Sequence, residues 1–210
     1  GYQARIAVGI KSTNTQEVIQ LDNEPRTLAG RLVRRFRQTM LRQLGLDDFG
    51  FPGIRRLLTS LPEMPDIFHG HNLHDQYFDL RILPALSRRT TVVLTLHDAW
   101  LLSGHCAHSF DCKRWQTGCG YCPDLSIYQS VRRDATAVNW RRRQRIFKKC
   151  RLYVSTPSKW LMDKVHASML APAIVESRVI PNGVDLDVFH PAPCRKQAIR
   201  VELGLPADAY

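Results

Sequence analysis

One stretch of the chain, residues 91–123, concentrates side chains that are able to do chemistry. It begins with TVVLTL, a β-branched and apolar run that is typical of a buried strand. Two ionisable residues, His97 and Asp98, follow directly after that run. Histidine titrates near neutral pH and can exchange hydrogen bonds with a sugar hydroxyl, so the pair is a candidate catalytic site. The alternative for His97 is a buried histidine with a purely structural hydrogen bond.

Polar residues also follow three other strand-like runs of the sequence. The carboxyl ends of parallel strands lie along one edge of a sheet, and open α/β folds bind their ligands at that edge. These residues therefore predict a cleft there, the alternative being a chance placement of turn residues. The candidate substrate-binding residues are His71, Asn72, Ser158, Asn182 and Gly183. His74 and Asp75 are weaker candidates that also fit the start of a helix.

Four cysteines lie in the same stretch as His97, with the spacing C-x5-C-x6-C-x2-C: Cys106, Cys112, Cys119 and Cys122. The C-x2-C end has the spacing of a zinc knuckle, and zinc takes four thiolate or imidazole ligands. The first pair lacks that spacing, so a structural zinc ion, disulfides or free thiols, and an iron–sulfur cluster all stay open. His105 or His108 could replace one cysteine. Two further cysteines, Cys150 and Cys194, lie outside the cluster, and we expect them to be structural.

The elements that must position these residues alternate along the chain. Strands are predicted at 4–10, 18–20, 66–69, 91–96, 152–154 and 178–180, and helices at 27–44, 54–61, 76–87, 130–149, 160–168 and 196–203. Strands that alternate with helices indicate βα units, a parallel sheet and helices on both of its faces. The predicted fold class is therefore α/β and Rossmann-like.

Length and composition agree with a globular protein. The 210 residues, 44% of them apolar, are enough for one sizeable domain or two small ones. No run of about 18 or more apolar residues is present, so the sequence predicts no membrane-spanning helix. Six cysteines in so long a chain do not indicate a disulfide scaffold. No signal peptide is visible, and because the chain begins without Met we expect it to be a fragment.

The net charge of +11 indicates an acidic partner, such as nucleic acid, anionic lipid or a phosphorylated substrate. A solvated basic surface is the alternative. The helix predicted at 27–44 has an apolar face around Leu32 and Phe36, and arginines such as Arg31 and Arg34 lie opposite. It could lie on an anionic membrane, but the width of its apolar face favours packing into the core.

Five motifs occur in order along the chain: PDIFHGHN, VVLTLHDAW, LLSGHCAHSFDCKRWQTGCGYCP, VSTPSKWL and VIPNGVDLDVF. Together they resemble the N-terminal half of a retaining GT-B glycosyltransferase, of the large group that includes many bacterial polysaccharide enzymes. The cysteine-rich segment is similar to a subgroup tied to exopolysaccharide synthesis, including that of colanic acid. The resemblance covers nearly the whole chain.

The resemblance implies two Rossmann-like domains with a cleft between them. Residues 1–190 would form the acceptor-side domain without its first strand, and 191–210 would be a linker and the start of a truncated nucleotide-sugar domain. The missing domain would carry the family's E-x7-E pair, a spacing that does not occur in this chain. We therefore expect this piece alone to be inactive and its full-length parent to be active.

The resemblance also implies roles for residues and partners. His97 matches the family histidine that contacts the transferred sugar, while His71 and Asn72 would line the acceptor side. A nucleotide diphosphate sugar would donate a glycosyl group, with retention at the anomeric carbon, to a hydroxyl of a lipid-linked glycan. Helix N-termini and basic groups of the second domain would stabilise the leaving diphosphate, so the implied chemistry needs no cofactor and zinc would be structural. The implied location is cytoplasmic, on the inner face of the plasma membrane.

Proteins of other classes fit parts of the pattern. A basic chain with four clustered cysteines could be a zinc-dependent nucleic-acid-binding module. However, the basic residues lie on helices distant in sequence from the cysteines, and no recognition-helix pattern follows Cys122, so no nucleic acid partner is expected. The third alternative is an inactive scaffold of the same fold.

Overall fold

The structure is a computed structural model of the chain, and it describes residues 3–61, 63–75, 77–190 and 193–206, without the side chains of 193–195. The strands in these ranges are β1 Ile6–Val8, β2 Val18–Gln20, β3 Ile67–His71, β4 Thr91–Thr95, β5 Leu152–Thr156 and β6 Ile174–Val179. The α-helices are α1 Leu28–Leu44, α2 Gly53–Ser60, α3 Leu83–Leu86, α4 Thr136–Phe147, α5 Lys159–His166 and α6 Pro193–Glu202. Short 3-10 helices lie at Leu80–Ile82, Trp100–Leu102, Arg114–Gln116 and Ala171–Ala173.

The main sheet contains four parallel strands in the order β3-β4-β5-β6. Its register places His71 beside Thr95, and Thr95 beside Ser155. Thr156 at the end of β5 pairs with Val179 at the end of β6. The last residues of all four strands therefore lie along one edge, which is the arrangement that the sequence predicted.

The hydrophobic core is built on this sheet. Alternate residues of β4, Val92 and Leu94, are buried, and Leu152 and Val154 of β5 are buried beside them. Helix α3 packs on β4, and α5 packs on β5 and β6. Removing these apolar side chains from water is the main force that holds the layers together. The predicted α/β, Rossmann-like class is confirmed.

Strands β1 and β2 form a sheet of their own, and the end of the chain forms a compact unit of its own. Strands β1 and β2 pair in parallel with each other as a separate two-stranded sheet. The chain divides into two compact units, Gly1–Ile180 and Pro181–Tyr210, the second of which contains α6. The predicted assignment of 1–190 and 191–210 to two domains stays a prediction.

Helix α1 forms where the sequence predicted it. Its first turn is capped by Thr27, whose side chain accepts a hydrogen bond from the Gly30 backbone N–H at 3.1 Å. It ends at Gly45, whose φ of 68° is in the left-handed region that favours glycine. None of the described helices has the length and apolar character that crossing a bilayer demands.

The packing predicted for α1 is wrong. None of its residues is buried, and the apolar face that was expected in the core is exposed, with Phe36 at 69% and Leu32 at 59%. Sequence periodicity identifies an apolar face but carries no information on what covers it, so the expectation of core packing had no independent support.

Two other predicted helices are shorter than expected. In place of a helix at 76–87, the described residues of that range hold only the 3-10 turn at 80–82 and α3, because the Asp79 side chain accepts from the Arg81 N–H and starts a new turn there. In place of a helix at 130–149, α4 begins at Thr136. Asp134 accepts from the Thr136 N–H at 3.1 Å and from the Cys122 N–H at 2.7 Å, which fixes the start of the helix.

Candidate functional site

Two histidines from neighbouring strands meet at the carboxyl edge of the sheet. His71 is the last residue of β3, and His97 follows the end of β4 by two residues. Nδ1 of His71 lies 3.0 Å from Nε2 of His97, within hydrogen-bonding distance. Both side chains are exposed, so a ligand is able to reach them. The structure therefore brings together a predicted catalytic residue and a predicted substrate-binding residue.

A second line of hydrogen bonds crosses the same edge of the sheet. Nε2 of His69 lies 2.7 Å from Oγ1 of Thr95, which in turn lies 2.6 Å from Oγ of Ser155. The His69 ring also packs against His71, with 4.2 Å between ring centroids. These contacts link three strands next to the His71–His97 pair and hold its surroundings in place.

The environment of this edge disfavours charged histidine. Burial lowers the pKa of His69, and the nearby His97 adds to that effect. Burial also lowers the pKa of His71, with further lowering by His69 and His97. Like charges at such short separation repel, so protonating one ring disfavours protonation of the next. In the His71–His97 contact one ring N–H donates to a nitrogen of the other ring, which leaves one nitrogen on each ring for a ligand.

Asp98 belongs to a second ionisable cluster, together with His74 and Asp75. Nε2 of His74 lies 3.0 Å from Oδ2 of Asp98, and Nδ1 lies 2.7 Å from Oδ2 of Asp75. Hydrogen bonding to Asp98 raises the pKa of His74, and burial opposes that rise. Asp98 also accepts from the Trp100 N–H at 2.8 Å. Through these contacts Asp98 holds His74 and the start of the following loop in place, and the catalytic role predicted for Asp98 stays a prediction.

Asn72 begins the loop that follows β3. Its φ of 43° is in the left-handed region, which asparagine tolerates better than most residues. The Tyr77 hydroxyl donates to the backbone oxygens of both His71 and Asn72, each at 3.0 Å. Burial raises the pKa of Tyr77 to about 12, so this hydroxyl stays protonated and continues to donate to the loop. The exposed Asn72 side chain is thereby presented beside His71.

The other predicted substrate-binding residues have different surroundings. Ser158 caps α5, and its Oγ accepts from the Leu161 N–H at 3.3 Å. A serine in this position serves the helix whether or not it contacts a ligand. Asn182 and Gly183 belong to the second compact unit and follow the end of β6. Substrate binding by these residues stays a prediction.

A cavity of about 640 Å³ adjoins the His74 cluster. Its lining includes Leu41, Leu73, His74, Asp75 and Trp100. Polar and charged side chains, among them Arg42, Asp47 and Gln129, line the cavity together with these residues, and its volume is in the range typical of pockets for small ligands.

The cysteine-rich segment forms an irregular loop between β4 and α4. The turn at its C-x2-C end has positive φ angles at four successive residues, 118–121. All four thiols of the cluster are free. Burial raises the pKa of Cys119 to about 12, and the neighbouring cysteines add to the rise, so this thiol is neutral. Nε2 of His105 lies 3.3 Å from Sγ of Cys122.

Cys150 is buried, as expected for a structural cysteine, while the Cys194 side chain lies outside the described residues.

A metal site is not preformed in this loop. Across the part of the chain that the structure describes, no group of three or more His, Cys, Asp or Glu residues is arranged to hold a metal ion. The structural zinc ion on Cys106, Cys112, Cys119 and Cys122 therefore stays a prediction.

Arg143 of α4 anchors the start of the same loop, a role that sequence reasoning did not identify. Its side chain is fully buried and forms two hydrogen bonds with the Asp47 carboxylate, both at 2.9 Å. It also donates to the backbone oxygens of Trp100 and Ser103, and its guanidinium lies 3.7 Å from the centre of the Trp100 ring. Arg143 thus connects helix α4, the segment that contains Asp47 and the residues that follow Asp98 in the chain. The neighbouring arginines of α4 hid it, because a run of basic residues is normally a solvated face.

Comparison with known proteins agrees with this geometry. The family model of Glycosyltransferase Family 4 matches residues 14–188, so the chain belongs to that family and is a glycosyltransferase domain. The chain is also similar to the putative colanic acid biosynthesis glycosyl transferase WcaC of Escherichia coli strain K12, with 29% identity over 160 residues. That match covers 70% of this chain and 38% of the relative. No solved structure matches the chain. The family assignment argues against the alternative of a nucleic-acid-binding module.

We expect His71 and His74 to titrate on opposite sides of 6.5, the ordinary pKa of histidine. Folding lowers the pKa of His71, so the stability it contributes is present above pH 6.5 and is lost as the pH falls towards its folded-state pKa. Folding raises the pKa of His74, so its contribution is complete below pH 6.5 and is lost as the pH rises through its folded-state pKa. NMR titration of the imidazole signals measures both midpoints, with His71→Gln and His74→Gln variants to assign them. Coinciding midpoints would contradict this prediction.

Proposed function

We propose that the full-length protein containing this chain transfers a glycosyl group from a nucleotide diphosphate sugar to a hydroxyl of a glycan in exopolysaccharide biosynthesis. The class of reaction follows from the family, and the pathway is supported by the similarity to the WcaC protein. The observation that carries the proposal is the exposed His71–His97 pair, which lies at the edge where α/β folds bind ligands.

In this proposal, the bond between the anomeric carbon and the diphosphate oxygen breaks while the acceptor oxygen bonds to that carbon. The acceptor proton passes to the leaving diphosphate, and the configuration at the anomeric carbon is retained. His97 hydrogen-bonds the transferred sugar, and His71 and Asn72 lie on the acceptor side. Asp98 acts by positioning His74 and Trp100, which line the cavity.

The acceptor that we propose is a glycan carried on a lipid, with a hexose as the transferred sugar. A lipid-linked acceptor places the reaction at the inner face of the plasma membrane, with the enzyme in the cytoplasm. The high positive charge of the chain supports this location, because the cytoplasmic leaflet is anionic. The chemistry requires no cofactor in this proposal, since positive groups at helix N-termini are able to stabilise a leaving diphosphate.

The test is transfer of a radiolabelled sugar by the purified full-length protein. Labelled nucleotide diphosphate sugars are incubated with it and with membranes from a strain that makes exopolysaccharide but lacks this protein. We expect label to enter the lipid-extractable fraction, and the anomeric configuration of the product to match that of the donor. Retardation of DNA with a steep salt dependence, together with no binding of any nucleotide sugar, would refute the proposal.

A structural zinc ion on the four cysteines is a separate proposal. It is supported by the C-x2-C spacing of Cys119 and Cys122 and by the free state of all four thiols. Thiolates bind zinc as the proton leaves, so the neutral Cys119 thiol would ionise on metal binding. Elemental analysis of the purified chain decides the matter, because a preparation with free thiols and no zinc would exclude it.

A further inference from the structure

Helix α1 turns its apolar face away from the rest of the molecule. The side chains of that face are all exposed: Leu28 at 72%, Leu32 at 59%, Val33 at 68%, Phe36 at 69%, Met40 at 47% and Leu44 at 40%. A continuous apolar strip on one face of a helix is uncommon on the surface of a soluble monomer and marks an interaction site. The strip therefore needs a partner.

The opposite side of the helix explains why the apolar face points outwards. The least exposed residues of α1 are Gly30, Arg34, Gln38 and Leu41, which recur at helical spacing along one side. Arg34 pairs with Glu24 on this side. Arg37 donates to the Asp48 carboxylate at 3.1 Å and to the Gly50 backbone oxygen at 3.2 Å. Polar contacts therefore attach the helix to the rest of the domain, and its apolar face stays available for contact with another surface.

The charges around the apolar strip indicate which kind of surface covers it. Helix α1 contains no acidic residue, and its arginines Arg35 and Arg42 project at the border of the strip, where both are exposed. An apolar face bordered by basic side chains is typical of a helix that lies in the interface of an anionic bilayer. At about 1.5 Å per residue, the 17 residues give a helix that lies along a bilayer surface.

We propose that α1 docks the protein on an anionic lipid bilayer, with Phe36 at the centre of the inserted strip and Arg35 and Arg42 against the lipid headgroups. The helix also contributes Gln38, Leu41 and Arg42 to the cavity that contains His74. Docking thus brings the cavity to the surface where a lipid-linked acceptor lies. This use of the helix rests on the proposed function, whereas the docking itself does not.

A second copy of the chain is a less suitable occupant of the strip. A symmetric dimer through α1 would bring the arginine borders of two helices close together, with no acidic residue on the helix to pair with them. Like charges placed opposite one another disfavour such an interface, while anionic headgroups compensate them.

The experiment measures binding of the purified chain to two kinds of vesicle, pure phosphatidylcholine and phosphatidylcholine mixed with phosphatidylglycerol. We expect sedimentation with the anionic vesicles only. Phe36→Glu is expected to weaken that binding by about tenfold or more, because one large apolar side chain no longer enters the bilayer. Arg35→Gln combined with Arg42→Gln is expected to weaken it by roughly tenfold, since each arginine contributes to headgroup attraction.

Matched controls separate this site from general charge and hydrophobicity. Tyr121→Glu replaces an aromatic residue that is 92% exposed in the cysteine loop, and the pair Arg88→Gln and Arg89→Gln removes the same charge before β4. Both controls are expected to bind anionic vesicles within about twofold of the unmodified chain, as surface substitutions away from a site have small effects.

Three results would overturn the proposal: equal binding to neutral vesicles, equal weakening by the control variants, or a dimer that Phe36→Glu converts to a monomer without a change in vesicle binding. Circular dichroism checks that each variant is folded. We expect folding to be retained, because all of the substituted residues are exposed. No nucleotide sugar is present, so failure here leaves the transferase proposal intact, and failure of sugar transfer leaves the docking intact.

Discussion

Replacing His97 with alanine is expected to lower kcat/KM of the full-length transferase by about 100-fold or more, the loss typical of removing one hydrogen-bond donor aimed at charge that develops in a transition state. The imidazole of His97 is exposed at the sheet edge and already has a hydrogen-bonding partner that fixes its orientation. A group held in place before the reaction spends little energy on reorganisation during it. The measurement is initial-rate kinetics with a labelled donor sugar.

His71 provides a graded comparison for this prediction. Because it acts by orienting His97 and lining the acceptor side, His71→Ala is expected to lower kcat less than His97→Ala does. His71→Gln keeps a hydrogen-bonding side chain and is expected to recover part of that loss, which a purely structural role would not predict.

The control is another histidine whose ring makes a single hydrogen bond. His166 lies on α5, and its Nε2 lies 2.8 Å from Oγ of Ser177. His166→Ala is expected to leave kcat/KM within about twofold, as a surface change away from the site. Activity of His97→Ala at the level of this control would show that His97 does not contact the reacting sugar.

The part of the site that the sequence predicted is the part fixed by strand geometry. A run such as TVVLTL indicates a buried parallel strand. The topology of the sheet alone then determines where the residues at the carboxyl end of that strand lie. His71 and His97 were found in this way, because parallel neighbours bring their carboxyl ends together. The prediction required no knowledge of side-chain rotamers.

The parts that the sequence did not predict depend on long-range packing. His69 belongs to the polar end of its strand, but only the register beside β4 places its ring on Thr95. The outward face of α1 is set by pairs such as Arg34 with Glu24, in which neither residue stands out from the other charges of the sequence. Pairing between distant charged residues has no periodic signal, so these features could only be found in the structure.

Arg143→Leu is expected to lower the free energy of unfolding by about 3–5 kcal/mol, the cost typical of removing one partner from a buried ion pair. The change leaves the Asp47 carboxylate, which is 12% exposed, without its two hydrogen bonds. It also leaves the Trp100 and Ser103 backbone oxygens without their donor. Urea unfolding of the purified chain measures the effect.

Arg141 is the matched control for this change, because it is an exposed arginine on the same helix two residues earlier. Arg141→Leu is expected to change stability by no more than about 0.5 kcal/mol, as exposed substitutions usually do. Combining Arg143→Leu with Asp47→Asn removes both charges of the pair. The double variant is therefore expected to be more stable than the sum of the two single losses implies, since residues in direct contact are not additive. Strict additivity would show that the Asp47 pair contributes nothing beyond its separate side chains, and that Arg143 acts only through Trp100 and Ser103.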